Sequence, residues 1–454
     1  MSRKVSLDTG LWLIVLLPSV ILLKRKNTTA LILAIILGLA LGLWRGSIYM
    51  QKLQDIKLLS GQKVVIEATA LADSVYGYRY QMEFNAASVT LLEPNQKSLA
   101  GSIKVSGFGA PMVYRGDRVK VEGKLYPMRG SNQARIAYAK LTRVGADSSW
   151  INSLTRKFGA GVRNALPEPA SSLGLGILIG QRNGLPKEIT EQLTIVGLVH
   201  IVAVSGYNVT ILSRAVARLR LGSKYQRLML SLFLISLFVL VTGFSASIVR
   251  AAIVAGLSLI AWYFGRRISG VTLIAFTAAL TGLVKPFYVW SDLGWYLSFL
   301  AFFGVLVVAP LLASRLFSRP PRVLAMILIE TLCAEIMTLP LIIMTFTQVS
   351  LIGLLANLLV VPLVPIAMLL SAVAGLAGAA IPEYAGWFAW PANLLLTYML
   401  DLVRLLAEVP FASLRTTISP APMIGLYGAV LLLVIILQRR LLKSKHDVKN
   451  WLGV

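Results

Sequence analysis

The sequence predicts a polytopic α-helical membrane protein of about 11 spans with an inserted, extracytoplasmic, OB-like β-barrel domain. Three observations predict it. First, 57% of the 454 residues are apolar and 14% are charged, where a soluble domain carries roughly a quarter charged. Second, long apolar runs recur from residue 198 to residue 437, separated by short basic loops. Third, residues 61–145 break that pattern and alternate with period 2.

The chain opens with an apolar run at 10–23, then Lys24, Arg25 and Lys26, then a second apolar run at 28–44. No small-residue cleavage site follows the first run, so residues 1–50 read as a transmembrane hairpin turning in the cytoplasm rather than as a cleaved signal.

In the β domain, 60–146, strands are expected near 63–71, 78–92, 102–106, 119–125 and 134–142. Turn signals such as Glu93-Pro94-Asn95 and Arg115-Gly116-Asp117 separate them. Five strands in so short a stretch suit a small OB-like barrel. Arg115, Arg118, Lys120, Lys124, Arg129 and Arg135 give it the basic face that a nucleic-acid groove needs. A solvated spacer is the alternative use of the same residues.

Residues 150–166 read as an amphipathic helix lying in the membrane interface. Ile151, Leu154, Phe158 and Val162 lie on one side, and Arg156, Lys157 and Arg163 on the other. Spans are then expected at 198–219, 228–243, 245–265, 270–284, 295–317, 323–346, 351–379, 384–407 and 422–437, with 171–180 a half-helix. The basic clusters after the third, fifth, seventh and last spans of this nine-plus-two count all fall on one side of the membrane. That side is the cytoplasm, which places the N-terminus and β domain outside and the C-terminus inside.

The 44 Lys and Arg against 19 Asp and Glu give a formal charge of +25. Basic loops explain part of it; a strongly anionic partner, nucleic acid or anionic lipid, suits it equally. One cysteine, Cys333, rules out an intrachain disulfide, and two histidines leave no zinc-ligand set, so no metal or other cofactor is expected. No Gly-rich loop ends in Gly-Lys-Ser/Thr, so ATP hydrolysis is not expected of the chain.

Polar groups at membrane depth are costly and face a cavity or a partner. The run from His200 to Thr210 holds Ser205, Gly206, Tyr207 and Asn208, where a helix break would free backbone to line a passage and a tight helix crossing is the alternative. Ser247 and Arg250 share a small-residue face with Ala251 and Ser258. Arg cannot escape its charge, so Arg250 suits either a polyanion path or a buried pair, Glu335 being the possible partner. Glu335 alternatively serves a pore or proton role. Asn357 follows Gln348, Ser350 and Gly353 and precedes Pro362 and Pro365, in a segment that cannot be a regular helix throughout. His200 and Ser205 point to different sides of a regular helix and make no nucleophile–base pair, so no catalytic residue is assigned.

Taken together, the stretches Gly197-Leu-Val-His200-Ile-Val-Ala-Val-Ser205-Gly206, Ser247-Ile-Val-Arg250-Ala, Asp292-Leu-Gly-Trp-Tyr-Leu-Ser298-Phe299 and Gly353-Leu-Leu-Ala-Asn357-Leu-Leu-Val-Val-Pro362 resemble the ComEC family, the membrane channel of bacterial natural transformation. The resemblance covers nearly the whole chain. It implies an inner-membrane channel that passes one strand of incoming DNA to the cytoplasm, with 170–442 the competence-type domain. His200, Ser205, Gly206, Tyr207, Asn208, Ser247, Arg250, Tyr296, Glu335 and Asn357 would line the path. The family often has Leu-His where this chain has Tyr207-Asn208, and Gln where it has Tyr296. Many members end in a metallo-β-lactamase-like domain; here a basic tail, 443–454, follows the last span. A short form would leave strand degradation to a separate nuclease and drive to a cytoplasmic motor. The rival class is a membrane-embedded enzyme, or a lipid- or glycan-handling protein, using His200 and Glu335. A third possibility is a scaffold whose β domain docks other surface proteins.

Overall fold

The computed structural model describes residues 28–443 except 77–80, 111, 129, 131, 147–148, 182–183, 203–205, 219–222, 267, 318–320, 322, 347 and 417–418. The described chain divides into two compact units. One takes the described part of Met1–Asp147 together with Ala278–Leu293, and the other takes Ser148–Thr277 with Gly294–Val454.

In the first unit the second apolar run forms one helix, Thr28–Lys52, followed by a short helix, Gln54–Leu58. The period-2 segment then forms β1 (Lys63–Ala70), β2 (Val75–Tyr76), β3 (Met82–Glu93), β4 (Lys97–Leu99), β5 (Ile103–Phe108), β6 (Arg118–Pro127) and β7 (Ala134–Gly145). Five of these strands correspond to those expected, and the short β2 and β4 are additional; the expected start of the second strand, 78–80, lies outside the described residues. Pairing runs β1–β6–β7–β5–β3, and β3 pairs back to β1, so these five strands close on themselves. The pairs are antiparallel except β5 with β7, which is parallel.

Alternation explains the closure. Val119, Val121 and Leu125 on β6 are fully buried, whereas Arg118 and Lys124 are exposed, as a barrel with one apolar face requires. The interior is filled by side chains such as Ile66, Val105 and Ile136, and Phe287 packs against the same cluster. Asp117 is 0% exposed; its Oδ2 accepts from the Tyr114 N–H at 2.9 Å, and its Oδ1 accepts from Arg143 at 3.0 Å. Replacing it by alanine strands a half-buried guanidinium and a backbone donor. Asp117→Ala is expected to cost about 3 kcal/mol, read as a lower unfolding temperature of the β signal in the full chain.

The second unit is helical. At its centre lies Ala170–Ile179, every residue of which is buried, Ser171 and Ser172 included, as a helix with so few polar groups allows. It contacts Trp150–Ala165, Val199–Val202, Val364–Ala380 and Ala385–Ala407. The amphipathic Trp150–Ala165 helix lays Gly161 and Val162 against Val364–Ala380, while Trp150 and Leu154 stay exposed.

Among the described residues six helical stretches are long and apolar enough to cross a membrane: Lys224–Thr242, Ala246–Tyr263, Leu293–Leu316, Ala325–Phe346, Gly353–Ala380 and Pro420–Leu437. The remaining expected spans differ in form. Gly270–Val284 is apolar but has 15 residues, and Ala385–Ala407 dilutes its apolar residues with Trp387, Trp390, Asn393, Asp401 and Arg404. The expected 198–219 span comprises Val199–Val202 and Gly206–Arg218 on either side of 203–205. Leu293–Leu316 contains a π-helical turn at Gly304–Val308, and Gly353–Ala380 a 3-10 turn at Val361–Leu363, where Pro362 lies.

Candidate functional site

Within the helical unit, the segment around 197–208 is where the polar motifs meet. Gly197 has φ +77°, and its α-carbon faces Ser350 and Gly353 so closely that a β-carbon there would come 3.1 Å from the Ser350 side chain. The Nδ1 of His200 is 3.1 Å from the Gly197 carbonyl oxygen, which only accepts, so the Nδ1-protonated tautomer suits this contact. On the far side of 203–205, Gly206 faces Ala251 and Phe302. Asn208 is buried and its Nδ2 donates to the Ile177 carbonyl at 2.9 Å. That carbonyl belongs to the last turn of Ala170–Ile179, whose final carbonyls have no intrahelical donor. Asn208 therefore joins two helices rather than simply facing a lumen.

Arg250 follows from the neighbouring helix, Ala246–Tyr263. It is 2% exposed, and its Nη2 donates to the Gly294 carbonyl at 3.0 Å. Along that next helix the rings of Trp295 and Phe299 meet tilted with centroids 4.6 Å apart, Phe299 and Phe302 edge to face at 5.9 Å, and Tyr296 and Trp295 edge to face at 5.5 Å. Ser247 is half-buried one turn before Arg250. The sequence offered Glu335 as a counter-ion for Arg250, and the structure corrects this. Glu335 accepts a hydrogen bond from Asn357 Nδ2 and forms no ion pair with Arg250. The geometric reason is that Asn357 lies on Gly353–Val360, a helix packed directly on the Glu335 helix. His200 and Glu335 likewise form no acid–base pair, each being bonded elsewhere. Ser205 and the Tyr207 side chain lie outside what is described.

The basic residues of the barrel divide into two sets. Arg118 reaches Glu67 at 3.5 Å and Lys120 reaches Glu122 at 3.7 Å, so their charge is partly met on the surface. The backbone N–H of Arg115 donates to Asp73. Lys124 stands opposite Lys63 across β1 and β6, and Arg135 stands opposite Tyr126 across β6 and β7. Both basic residues are exposed, as are Tyr126 and Tyr138. Arg129 lies outside the described residues. The two tyrosines were not singled out in the sequence; their signal was an aromatic at an outward position of an alternating strand.

These features define a class: a multi-pass membrane protein that carries a separate β-sheet domain and, among its helices, a buried arginine and a carboxyl–amide pair. A family model described as Competence protein matches residues 177–441, and the chain belongs to that family. The chain is similar to ComE operon protein 3 of Bacillus subtilis (strain 168), with 27% identity over 296 residues, 63% of this chain and 37% of the relative. It thus matches little more than a third of that relative's length. No solved structure matches it.

Proposed function

We propose that the chain conducts single-stranded DNA across the bacterial cytoplasmic membrane during DNA uptake, as a channel and not as an enzyme. The observation that carries this reading is Arg250, a permanent cation buried in an apolar helix beside the small-residue surface of Gly206 and Ala251. A fixed cation at that depth is costly to keep, and it puts positive charge where a polyanion path would need it. Family membership supports the same reading.

The barrel is OB-like on this proposal. Its support is the closed order β1–β3–β5–β7–β6–β1 with the one parallel pair between β5 and β7. The chain would cross about 11 times, with the N-terminus and barrel outside and the C-terminus in the cytoplasm. The β6–β7 hairpin offers stacking groups, Tyr126 and Tyr138, beside Lys124 and Arg135, the combination that holds a single strand without reading its sequence. The membrane potential opposes anion entry in a normally polarised cell, so proton coupling or a cytoplasmic motor supplies the drive, and a nuclease removes the other strand.

The test is binding of a labelled oligonucleotide to the purified full chain as a function of salt. Each phosphate contact contributes about 0.7 to the slope of log K against log salt for a single strand. Lys124→Gln and Arg135→Gln together are expected to lower the slope by roughly 1.4, and Tyr126→Ala to weaken binding about tenfold at unchanged slope. Equal binding by all variants would reject the hairpin as the contact surface.

A further inference from the structure

We infer that Glu335 and Asn357 form a proton-binding site, in which the protonated carboxyl of Glu335 and the carboxamide of Asn357 hold each other by two reciprocal hydrogen bonds. The observation is a mismatch of donors and acceptors. Asn357 is 4% exposed, its Nδ2 donates to Glu335 Oε1, and its Oδ1 is buried with no hydrogen-bond donor. A buried amide oxygen left unbonded is unfavourable, because it has given up water without gaining a donor. A proton on the free oxygen of Glu335 supplies the missing donor, closing the ring of a carboxylic acid and a carboxamide: N–H to C=O on one side, O–H to C=O on the other.

Turning the amide over leads to the same conclusion. Oδ1 would then face Oε1 directly, and two oxygens at that approach need a hydrogen between them. In either orientation the carboxylate form leaves Oδ1 without a donor, and the acid form carries the proton that can supply one.

The surroundings are built around this turn of helix. Gly304, which opens the π-helical turn, lies so close to the Glu335 helix that a β-carbon would come within 2.6 Å of the Cys333 carbonyl oxygen and 2.9 Å of the Ala334 nitrogen. Pro340 follows five residues on and withholds a backbone donor from the Ile336 carbonyl. The elements packed on Val323–Phe346 are the π turn, Ala309–Leu316, Gln348–Ser350, Gly353–Val360 and Pro420–Lys443. Their charged or titratable residues with described side chains are Arg315 and Tyr427, and the helix itself adds Glu330 and Cys333. Tyr427 donates to the Met337 carbonyl, and among the described residues no cation pairs with Glu335. A carboxylate there would have the Asn357 amide as its donor and, among the described residues, no counter-charge to meet it.

Binding is a simple protonation: an O–H bond forms on Glu335, and the proton comes from and returns to water. Loss of the proton sets a carboxylate against a buried amide oxygen. Gly353–Val360, which ends at the 3-10 turn and Pro362, would then have to shift or admit water. The inference stands on this pair alone and does not depend on what the protein conducts.

The experiment is infrared difference spectroscopy of the full chain in lipid vesicles, with glutamate carbon-13-labelled, over a pH series in water and deuterium oxide. At neutral pH the wild type is expected to show a protonated-carboxyl carbonyl band that moves in deuterium oxide and disappears in Glu335→Gln. In Asn357→Leu the same band should move to higher frequency, since its carbonyl has lost its donor. Glutamine can form the reciprocal pair and is expected to fold; should it not, the Asn357→Leu shift alone decides. A carboxylate band at neutral pH that Glu335→Gln removes would overturn the inference. So would a band that follows sodium concentration instead of pH, which would mark a metal-cation site.

Discussion

Cells carrying Arg250→Ala are expected to bind labelled double-stranded DNA outside as wild type does, yet to accumulate roughly 10- to 100-fold less nuclease-protected single strand within. The range follows from the cost of losing one hydrogen bond made by a charged group, about 1.5–3 kcal/mol. Arg250 is buried, and its guanidinium holds the Gly294 carbonyl at the start of the aromatic Leu293–Phe303 helix. Arg250→Lys separates two roles. It keeps the charge but replaces a planar fork by a point charge on a different stem. If charge on the path governs transfer, lysine should recover much of the strand. If the fork's grip on the next helix governs it, lysine should recover little, and both variants should unfold earlier in detergent. Unchanged strand accumulation in Arg250→Ala would remove Arg250 from the path and with it the observation on which the channel reading rests.

The second large effect is structural. Gly378→Ala is expected to lower stability by about 3 kcal/mol, seen as early thermal unfolding of the detergent-solubilised full chain. A β-carbon at Gly378 would collide with the carbonyl oxygen of Gly161 and come 2.7 Å from its carbonyl carbon. One at Gly161 would collide with the Gly375 carbonyl and come 2.8 Å from the Ala379 nitrogen. The two helices therefore meet backbone to backbone, and neither can retreat without opening the contacts of the central Ala170–Ile179 helix. Lipid tails are as apolar as leucine, so close packing of small residues is what holds such helices together. Gly386→Ala is the control: nothing lies within 4 Å of the added methyl, so it should be neutral or slightly stabilising. Equal stability of the two variants would show that the packing is soft.

Much of this was legible in the sequence because its causes are local. Alternation at Val119, Val121 and Leu125 marks β6, since a strand with one buried face must alternate. The segment 171–180, expected as a half-helix, is a short helix closed by Gly180 at φ +76°, a conformation glycine takes without steric cost. The polar residues at depth, Asn208, Arg250, Glu335 and Asn357, stood out because apolar runs have few reasons to contain them.

Their partners were not legible. Glu335 invited Arg250 by charge, yet its hydrogen bond comes from Asn357, and Arg250 holds a backbone carbonyl that no side-chain pattern records. Asn208 looked like a lumen residue, and it donates to a carbonyl in the last turn of a helix, 31 positions earlier. By itself, the sequence determined the membrane class, the separate β domain and which side chains are too polar for their depth. Those follow from composition and from periods of 2 and 3.6 along one chain. Which polar group meets which, and the glycine-to-glycine contact of Gly161 with Gly378, was decided by tertiary structure alone. Such contacts depend on how helices distant in sequence cross, and hydropathy carries no information about that.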